Sequence, residues 1–245
     1  MAFFKITHNP KHRFATLHNY GCNFRCPICS YKLRSGADGR PGFAYPKPER
    51  FLGMDEIKAA LLKVKPEKVY FMGGEPGLAT ELPEVLEFVK QSLGVPAFLG
   101  HTNGSRLPMA NLAGANVGLK AWDPQVHLQY TGQPKDVIFD NFVRSVEAGL
   151  EMRANIVYIP GLIDLDQVEA VAAWLAGVDP ELPFHIMGYI PVPGQPYSRP
   201  TAAQMAAAVA CSQKHLRKVK FSHLDSEQAL GLAKTDDRFQ VEQIA

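Results

Sequence analysis

Three cysteines within eight residues are the part of this sequence with the clearest capacity for chemistry. Cys22, Cys26 and Cys29 are spaced CxxxCxxC, while the fourth cysteine, Cys211, lies far away in an alanine-rich run. Thiolates are soft ligands that suit zinc or iron–sulfur clusters. Three of them on a four-iron cluster leave one iron without a protein ligand, where a small molecule can bind. The spacing therefore indicates a metal centre with one open position.

Zinc is the alternative occupant of such a loop. Structural zinc usually takes four ligands, often from two paired knuckles, and this chain has no second CxxC. His18, on the predicted strand before the loop, is a candidate fourth ligand. A second interpretation of the chain is therefore a non-catalytic iron–sulfur or zinc module used for electron transfer or regulation. For Cys211 the simplest role is that of a small buried side chain.

A glycine-rich turn, Gly73-Gly74-Glu75-Pro76, follows the next predicted strand. Glycines allow a backbone to approach a ligand closely, so this turn predicts a binding site beside the metal. A plain surface turn is the alternative, because glycine-rich turns are common.

The elements that must position these motifs alternate between short apolar runs and helical patterns. We predict strands over 13–19, 68–72, 95–101, 116–122, 154–159 and 184–190, with a seventh at 218–222. The alternation predicts a parallel sheet with outer helices. The fold class is α/β, as a partial (β/α)6 TIM-like barrel; an open doubly wound sheet is the alternative, weakened by the lack of GxGxxG after the first strand. We expect an N-terminal lead-in over 1–12, the barrel over 13–223 and a polar tail over 224–245.

Composition excludes several classes of protein. The 245 residues are 46% hydrophobic and 20% charged, which is typical of a globular protein. A net charge of +2 is too small to argue for nucleic-acid binding. No apolar run approaches the ~20 residues of a spanning helix, and the first residues do not form a signal peptide. We therefore expect a cytoplasmic protein with no membrane partner. The basic stretch from Lys32 to Arg50 is either a solvated loop or a docking patch for an acidic donor or substrate.

Together, the cysteine loop at 22–29 and the turn at 73–76 resemble the radical S-adenosylmethionine (radical SAM) superfamily. The resemblance covers roughly residues 13–223. It implies a partial barrel, with a [4Fe–4S] cluster on Cys22, Cys26 and Cys29 and SAM bound to the fourth iron. It also implies reductive cleavage of SAM to methionine and a 5′-deoxyadenosyl radical, which abstracts hydrogen from a substrate.

Within that superfamily the chain is most similar to activating enzymes of glycyl-radical enzymes, of the pyruvate formate-lyase activating type. The local matches are His101-Thr102-Asn103-Gly104, Gly118-Leu119-Lys120, Tyr130-Thr131-Gly132 with Asn141, and Ile159-Pro160-Gly161. The departures are His101 and Gly118, each in place of an aspartate, Asn155 in place of a common arginine and Ile190 in place of a frequent histidine.

The resemblance implies a low-potential electron donor, flavodoxin or ferredoxin, and a protein, peptide or small-molecule substrate. A glycine of a glycyl-radical enzyme is the first candidate substrate. Glu75 and its neighbours are implied to hold the methionine amino group, Ile28 to pack on adenine, and Lys120 to contact the ribose or carboxylate of SAM. Strand alternation puts residues 185, 187 and 189 on one side and 186, 188 and 190 on the other, without deciding which side meets SAM. The expected SAM-binding residues are Ile28, Gly73, Gly74, Glu75, Pro76, His101, Asn103, Lys120, Asn155, Val157 and Tyr189.

Overall fold

The computed structural model describes residues 1–40, 42–43 and 46–245. Within these residues nine strands form a single sheet, in the order β8-β7-β6-β5-β4-β3-β2-β1-β9. The strands are β1 (Phe3–Asn9), β2 (Phe14–Asn19), β3 (Lys68–Gly73), β4 (Ala97–Thr102), β5 (Gly114–Gly118), β6 (Glu151–Tyr158), β7 (Phe184–Gly188), β8 (Val219–Ser222) and β9 (Glu242–Gln243).

Helices follow most of the strands. They are α1 (Lys32–Ser35), α2 (Met54–Val64), α3 (Leu82–Phe88), α4 (Pro124–Thr131), α5 (Asp136–Glu147), α6 (Leu165–Val178), α7 (Ala202–Gln213) and α8 (Ser226–Thr235). The caps agree with the sequence. Asp123 begins α4 by accepting hydrogen bonds from the N–H groups of Gln125 and Val126, and Gly132 ends it in a left-handed conformation. Thr201 and Gln204 form a capping box at the start of α7.

The parallel α/β barrel is confirmed, and the sheet is not closed. Strands β2 to β8 are parallel to one another and stand in chain order. In a doubly wound sheet the strand order reverses at one point. Here the strands follow chain order without a reversal, so the doubly wound alternative is wrong. The pairing leaves an opening between β8 at one edge and β1 with β9 at the other.

Alternation along each strand separates two faces of the sheet. Side chains such as Phe71 and Ile186 are fully buried in the core between sheet and helices. The residues between them, such as Tyr70 and Met187, face cavities in the barrel interior. On the sixth predicted strand, residues 185 and 187 face the interior, while residues 187 to 190 all line the cavity that contains the cysteines. Which side of this strand meets SAM stays a prediction.

Several boundaries differ from the predictions. The lead-in contains β1, which pairs antiparallel with β2 and buries Phe3 and Ile6 completely. The tail forms α8 and then β9, which pairs with β1, so it crosses from one edge of the opening to the other. The strand expected over 116–122 ends at Gly118, which places Lys120 in the following loop. The division into three domains stays a prediction.

No helix among the described ranges is long and apolar enough to span a membrane.

Candidate active site

The cysteine loop leaves the carboxyl end of β2, where active-site loops of βα barrels are found. Cys22, Cys26 and Cys29 all line one cavity of about 350 Å³. The loop turns tightly, since the N–H of Cys29 donates to the carbonyl of Cys26 at 3.2 Å. Cys211 lies elsewhere, buried in α7, where its thiol donates to the Ala208 carbonyl at 3.2 Å. The structure therefore gathers three cysteines and separates the fourth.

Backbone and amide N–H groups point at the sulfur atoms. The N–H of Phe24 is 3.3 Å from Cys22 Sγ, and the N–H of Gly42 is 3.3 Å from Cys29 Sγ. Burial raises the pKa of Cys22 to about 11 and that of Cys26 to about 12. Thiolates form in such a place only when a bound cation stabilises them, which is the behaviour of a metal ligand rather than a free nucleophile.

The donor set fits a four-iron cluster better than a zinc ion. Among the described residues, no three histidine, cysteine or carboxylate side chains are arranged around one metal ion. A zinc ion needs its ligands to converge within about 2.0–2.3 Å of one point, whereas a cluster offers a separate iron atom to each thiolate. His18 does not serve as a fourth ligand, because its Nε2 is hydrogen-bonded to the Thr7 hydroxyl at 2.9 Å.

Gly73 and Gly74 bring β3 into backbone contact with the start of the cysteine loop. The N–H of Gly74 donates to the Asn19 carbonyl at 3.1 Å, and the N–H of Glu75 donates to the Gly21 carbonyl at 2.7 Å. A Cβ atom on Gly74 would lie 1.9 Å from the Gly21 oxygen, and one on Gly73, at φ +124°, would lie 2.2 Å from the Asn19 oxygen. Only glycine fits at either position.

Glu75 is fully buried, and its carboxylate is turned into the protein. It accepts hydrogen bonds from the Thr102 hydroxyl at 2.7 Å, the Asn103 N–H at 2.5 Å and the Gly77 N–H at 2.9 Å. Burial raises the pKa of this carboxyl group, and the three donors oppose that shift. The carboxylate thereby ties the end of β3 to the end of β4.

Asn103 connects the end of β4 to the cysteine loop. Its Oδ1 accepts from the N–H of Ser105 at 2.9 Å, which makes an Asx turn. Its Nδ2 donates to Asn23 Oδ1 at 2.7 Å and lies 3.8 Å from Cys22 Sγ. Asn103 therefore both closes this turn and lines the cavity, and its expected contact with SAM stays a prediction.

A polar wall stands opposite the cysteines. The Asn155 Nδ2 donates to Asn116 Oδ1 at 2.9 Å, and the Asn116 Nδ2 is 3.5 Å from His101 Nδ1. Desolvation by the surrounding barrel wall, reinforced by the charges of Lys120 and His185, lowers the pKa of His101 to about 4, although the side chain still opens onto the cavity. His101 is therefore a neutral imidazole at neutral pH. Lys120 Nζ lies where a side chain on Gly118 would point, 2.7 Å from the position of its Cβ.

Helix α4 supports the cysteine loop from the side. The N–H of Arg25 donates to the Thr131 carbonyl at 2.8 Å, and the Phe24 ring meets the His127 ring edge-on at 5.9 Å. Asn141 on α5 donates to the Gly104 carbonyl at 2.8 Å. The Tyr-Thr-Gly motif and its asparagine thus hold loops in place.

The structure brings most of the expected site residues to one cavity. Glu75 and Pro76 are the two whose side chains are not among its described lining. The sequence assigned no place in the cavity to the rings of Phe24, Tyr31 and Tyr130. Tyr130 was noted only as part of the Tyr-Thr-Gly match, and the position of Tyr31 two residues after Cys29 was the available signal for that ring. The predicted residues that line the cavity are Cys22, Cys26, Ile28, Cys29, Gly73, Gly74, His101, Asn103, Lys120, Asn155, Val157 and Tyr189.

The stretch from Lys32 to Arg50 has less free positive charge than its sequence suggests, because some of its basic side chains are buried or paired. Lys32 is buried and donates to the Ala37 carbonyl at 2.9 Å. Arg40 stacks on the Phe43 ring at 4.1 Å and Arg50 pairs with Glu56 at 2.7 Å. Residues 41, 44 and 45 of this stretch lie outside the described residues.

Fold and site together define an open α/β barrel with a thiol-lined cofactor cavity at the carboxyl ends of its strands. Residues 16–175, well over half of the chain, match the family model of the radical SAM superfamily. The chain belongs to the radical SAM superfamily, and the resemblance inferred from its motifs is confirmed. Members of this superfamily are enzymes, and the family implies a [4Fe–4S] cluster and SAM.

Two relatives of different function are similar in sequence. The chain is 29% identical over 187 residues to the "putative glycyl-radical enzyme activating enzyme" of Methanocaldococcus jannaschii, covering 71% of this chain and 67% of that protein. It is 31% identical over 176 residues to a GTP 3′,8-cyclase of Aeromonas hydrophila, covering 66% of this chain and 50% of the cyclase. The chain therefore spans about half the length of that cyclase.

A solved structure shares the fold. A domain of pyruvate-formate lyase-activating enzyme from Bacteroides vulgatus superposes with a TM-score of 0.53 at 22% identity, over 63% of this chain and 98% of that domain. At this identity the likeness concerns the fold alone.

Proposed function

We propose that this chain is a radical SAM enzyme that holds a [4Fe–4S] cluster on Cys22, Cys26 and Cys29 and binds SAM beside it. When bound, cluster and SAM supply a one-electron cleavage that yields methionine and a 5′-deoxyadenosyl radical, which takes a hydrogen atom from the substrate. The observation that carries the proposal is that the three cysteines and the Gly73–Gly74 backbone line the same cavity.

The chain's own residues would bind and orient SAM. The Gly73–Gly74 backbone lines the cavity beside the cysteine loop, where its polar groups would lie close to the methionine amino group. Lys120 supplies the positive charge for the SAM carboxylate, or a donor for the ribose. Ile28 and Val157 offer apolar surface to the adenine. His101, Asn103, Asn155 and Tyr189 complete the polar and aromatic wall.

The aromatic rings around the cavity would exclude water and stray hydrogen donors. The Phe24, Tyr130 and Tyr189 side chains are buried there. The Tyr189 hydroxyl accepts from the Val192 N–H at 3.1 Å, and burial raises the pKa of both tyrosines, so their hydroxyl groups stay protonated. A dry, rigid wall suits a reaction in which a reactive species must meet only its substrate.

The substrate has two candidate classes. A backbone glycine of a glycyl-radical enzyme is supported by the similarity to the Methanocaldococcus jannaschii protein. The second class is a peptide or small molecule. The similarity to GTP 3′,8-cyclases supports a small molecule, and so does the presence of His101 and Gly118 where the activating enzymes have aspartates. A flavodoxin or ferredoxin would supply the electron, in the cytoplasm as we expect.

One experiment separates this proposal from a non-catalytic iron–sulfur or zinc module. The protein is reconstituted with iron and sulfide under argon, reduced, and supplied with SAM, and 5′-deoxyadenosine is measured. We expect product that depends on both the reductant and the cluster. An intact, reducible cluster that yields no 5′-deoxyadenosine would overturn the enzymatic proposal.

A further inference from the structure

A second cavity lies inside the barrel, at the opposite end of the strands from the cysteines. Its volume is about 470 Å³, against about 350 Å³ for the cysteine cavity. Its described lining comes from the amino-terminal parts of β3 to β6 and the residues just before them, in the middle of the sheet and away from its edge strands. We call it the lower cavity, and the side chains that matter for its chemistry are Lys68, Tyr70, Phe98, Asn116, Glu151 and Arg153.

One layer of side chains separates the lower cavity from the cysteine cavity. Asn116 lines the lower cavity, and its Oδ1 accepts from Asn155 Nδ2 at 2.9 Å, while its Nδ2 is 3.5 Å from His101 Nδ1. Asn155 and His101 both line the cysteine cavity. Gly100, which precedes His101, lines the lower cavity without a side chain. A ligand in the lower cavity would therefore lie one side-chain layer away from the place proposed for SAM.

A stacked pair of aromatic rings forms one wall of the lower cavity. The rings of Tyr70 and Phe98, on neighbouring strands, have centroids 5.5 Å apart and planes inclined by 28°. Phe14 on β2 meets the Tyr70 ring edge-on at 5.5 Å and supports it from the other side. Tyr70 and Phe98 are each only half-buried, so ring surface is left open to the cavity. Such surface binds flat aromatic molecules by stacking and by hydrophobic contact.

The ion pairs of the lower cavity leave one cation without a counter-charge. Glu151 pairs with Arg153 at 2.6 Å. Glu67, the other carboxylate of the lining, pairs with Arg13 at 2.5 Å. Lys68 lines the same cavity, and it makes no ion pair within residues 1–40, 42–43 and 46–245. An anionic group on a ligand would supply the counter-charge to Lys68.

We propose that the lower cavity binds the substrate, and that the substrate is a small planar aromatic molecule with an anionic substituent. Its ring would lie against Tyr70 and Phe98 and its anionic group against Lys68, while the rest of the molecule reaches past Gly100 toward His101. The volume is in the range of small-molecule sites, about 300–1,000 Å³. The inference rests on the proposed function and, of its candidate substrates, chooses the small molecule.

Isothermal titration of the reconstituted protein with indole-3-carboxylate tests both parts of the proposal. Indole lacks the charge and cyclohexanecarboxylate lacks the aromatic ring, so we expect each to bind more weakly than indole-3-carboxylate. Phe98→Leu keeps an apolar side chain but removes the ring, and should weaken binding about tenfold. Lys68→Gln should weaken it about tenfold as well, and Lys68→Arg should retain it.

Two variants outside the lower cavity are the matched controls. Phe88 on α3 is half-buried like Phe98, and Lys90 is an exposed lysine of the following turn. Phe88→Leu and Lys90→Gln should both bind indole-3-carboxylate as the unaltered protein does.

A measurement on the unaltered protein locates the probe without any substitution. We expect nuclear Overhauser effects between the indole protons and the ring protons of Tyr70 and Phe98. Effects to other rings only, equal affinity for the three probes, or no binding of indole-3-carboxylate at millimolar concentration would each refute the site. Equal weakening by the control variants would refute it too.

The titration contains neither SAM nor reductant, so its outcome is independent of 5′-deoxyadenosine formation. A failure of the proposed function and a failure of the lower cavity to bind the probe are therefore told apart.

Discussion

The Glu75 carboxylate accepts a hydrogen bond from the backbone N–H of Asn103 at 2.5 Å. Through this contact the end of β3 fixes the end of β4, and the Asn103 side chain in turn holds Asn23 at 2.7 Å in the cysteine loop. The glutamate of the glycine-rich turn thus supports the cysteine loop.

Replacing this buried acceptor should destabilise the protein. We expect Glu75→Ala to lower the free energy of unfolding by about 3 kcal/mol, because three buried donors lose their partner. Glu87→Ala, on the exposed face of α3, is the control and should change stability by less than about 0.5 kcal/mol. Urea unfolding measures both variants, and equal midpoints for the two would argue against the supporting role.

We expect Cys22, Cys26 and Cys29 to bind the cluster and Cys211 to have no part in binding it. Cys26→Ala should abolish the bound iron and sulfide and with them 5′-deoxyadenosine formation, since a cluster held by two thiolates is not retained. Cys211→Ala, in the buried face of α7, should keep both. Iron and sulfide analysis after reconstitution gives the answer. Full iron content in the Cys26 variant would contradict the ligand assignment.

We expect a side chain at position 74 to disrupt the contact between the end of β3 and the cysteine loop. Gly74→Ala would place a Cβ atom 1.9 Å from the Gly21 oxygen and 2.3 Å from the Gly42 oxygen. Overpacking of this kind costs about 1–3 kcal/mol, so we expect a lower melting temperature and reduced iron content.

Gly177→Ala in α6 is the matched control for that substitution, because no atom lies within 4 Å of the added Cβ. Alanine there should be neutral or stabilise by up to about 1 kcal/mol. If Gly74→Ala melts and binds iron as Gly177→Ala does, the packing argument fails.

Acid should destabilise the barrel through His18. Burial, and then Lys5, lowers the pKa of this imidazole from 6.5 to about 4. As pH falls, the unfolded chain takes up the proton first, so stability present above pH 6.5 is lost progressively toward pH 4. Urea midpoints across this range should fall less steeply in His18→Gln. The imidazole C–H resonance of His18, followed by NMR, should titrate near pH 4, and titration near 6.5 would contradict the prediction.

The sequence by itself determined the chemistry of the site and the class of fold. Cys22, Cys26 and Cys29 and the Gly73–Gly74 turn are local motifs whose residue types and spacing indicate the superfamily that the family model then shows. The parallel barrel followed from the alternation of strand and helix, because that pattern is also local. Helix α2 is likewise set by local signals, since Ile57, Leu61 and Val64 share one apolar face and Pro66 follows its end.

Tertiary structure decided which side of each strand meets the cavity and which strands border the opening. β1 and β9 were missed because their pairing joins opposite ends of the chain, and no local pattern records such a contact. The burial of Glu75 depends on donors at the end of β4. Contacts between residues distant in sequence set these features, and they exist only once the barrel has formed.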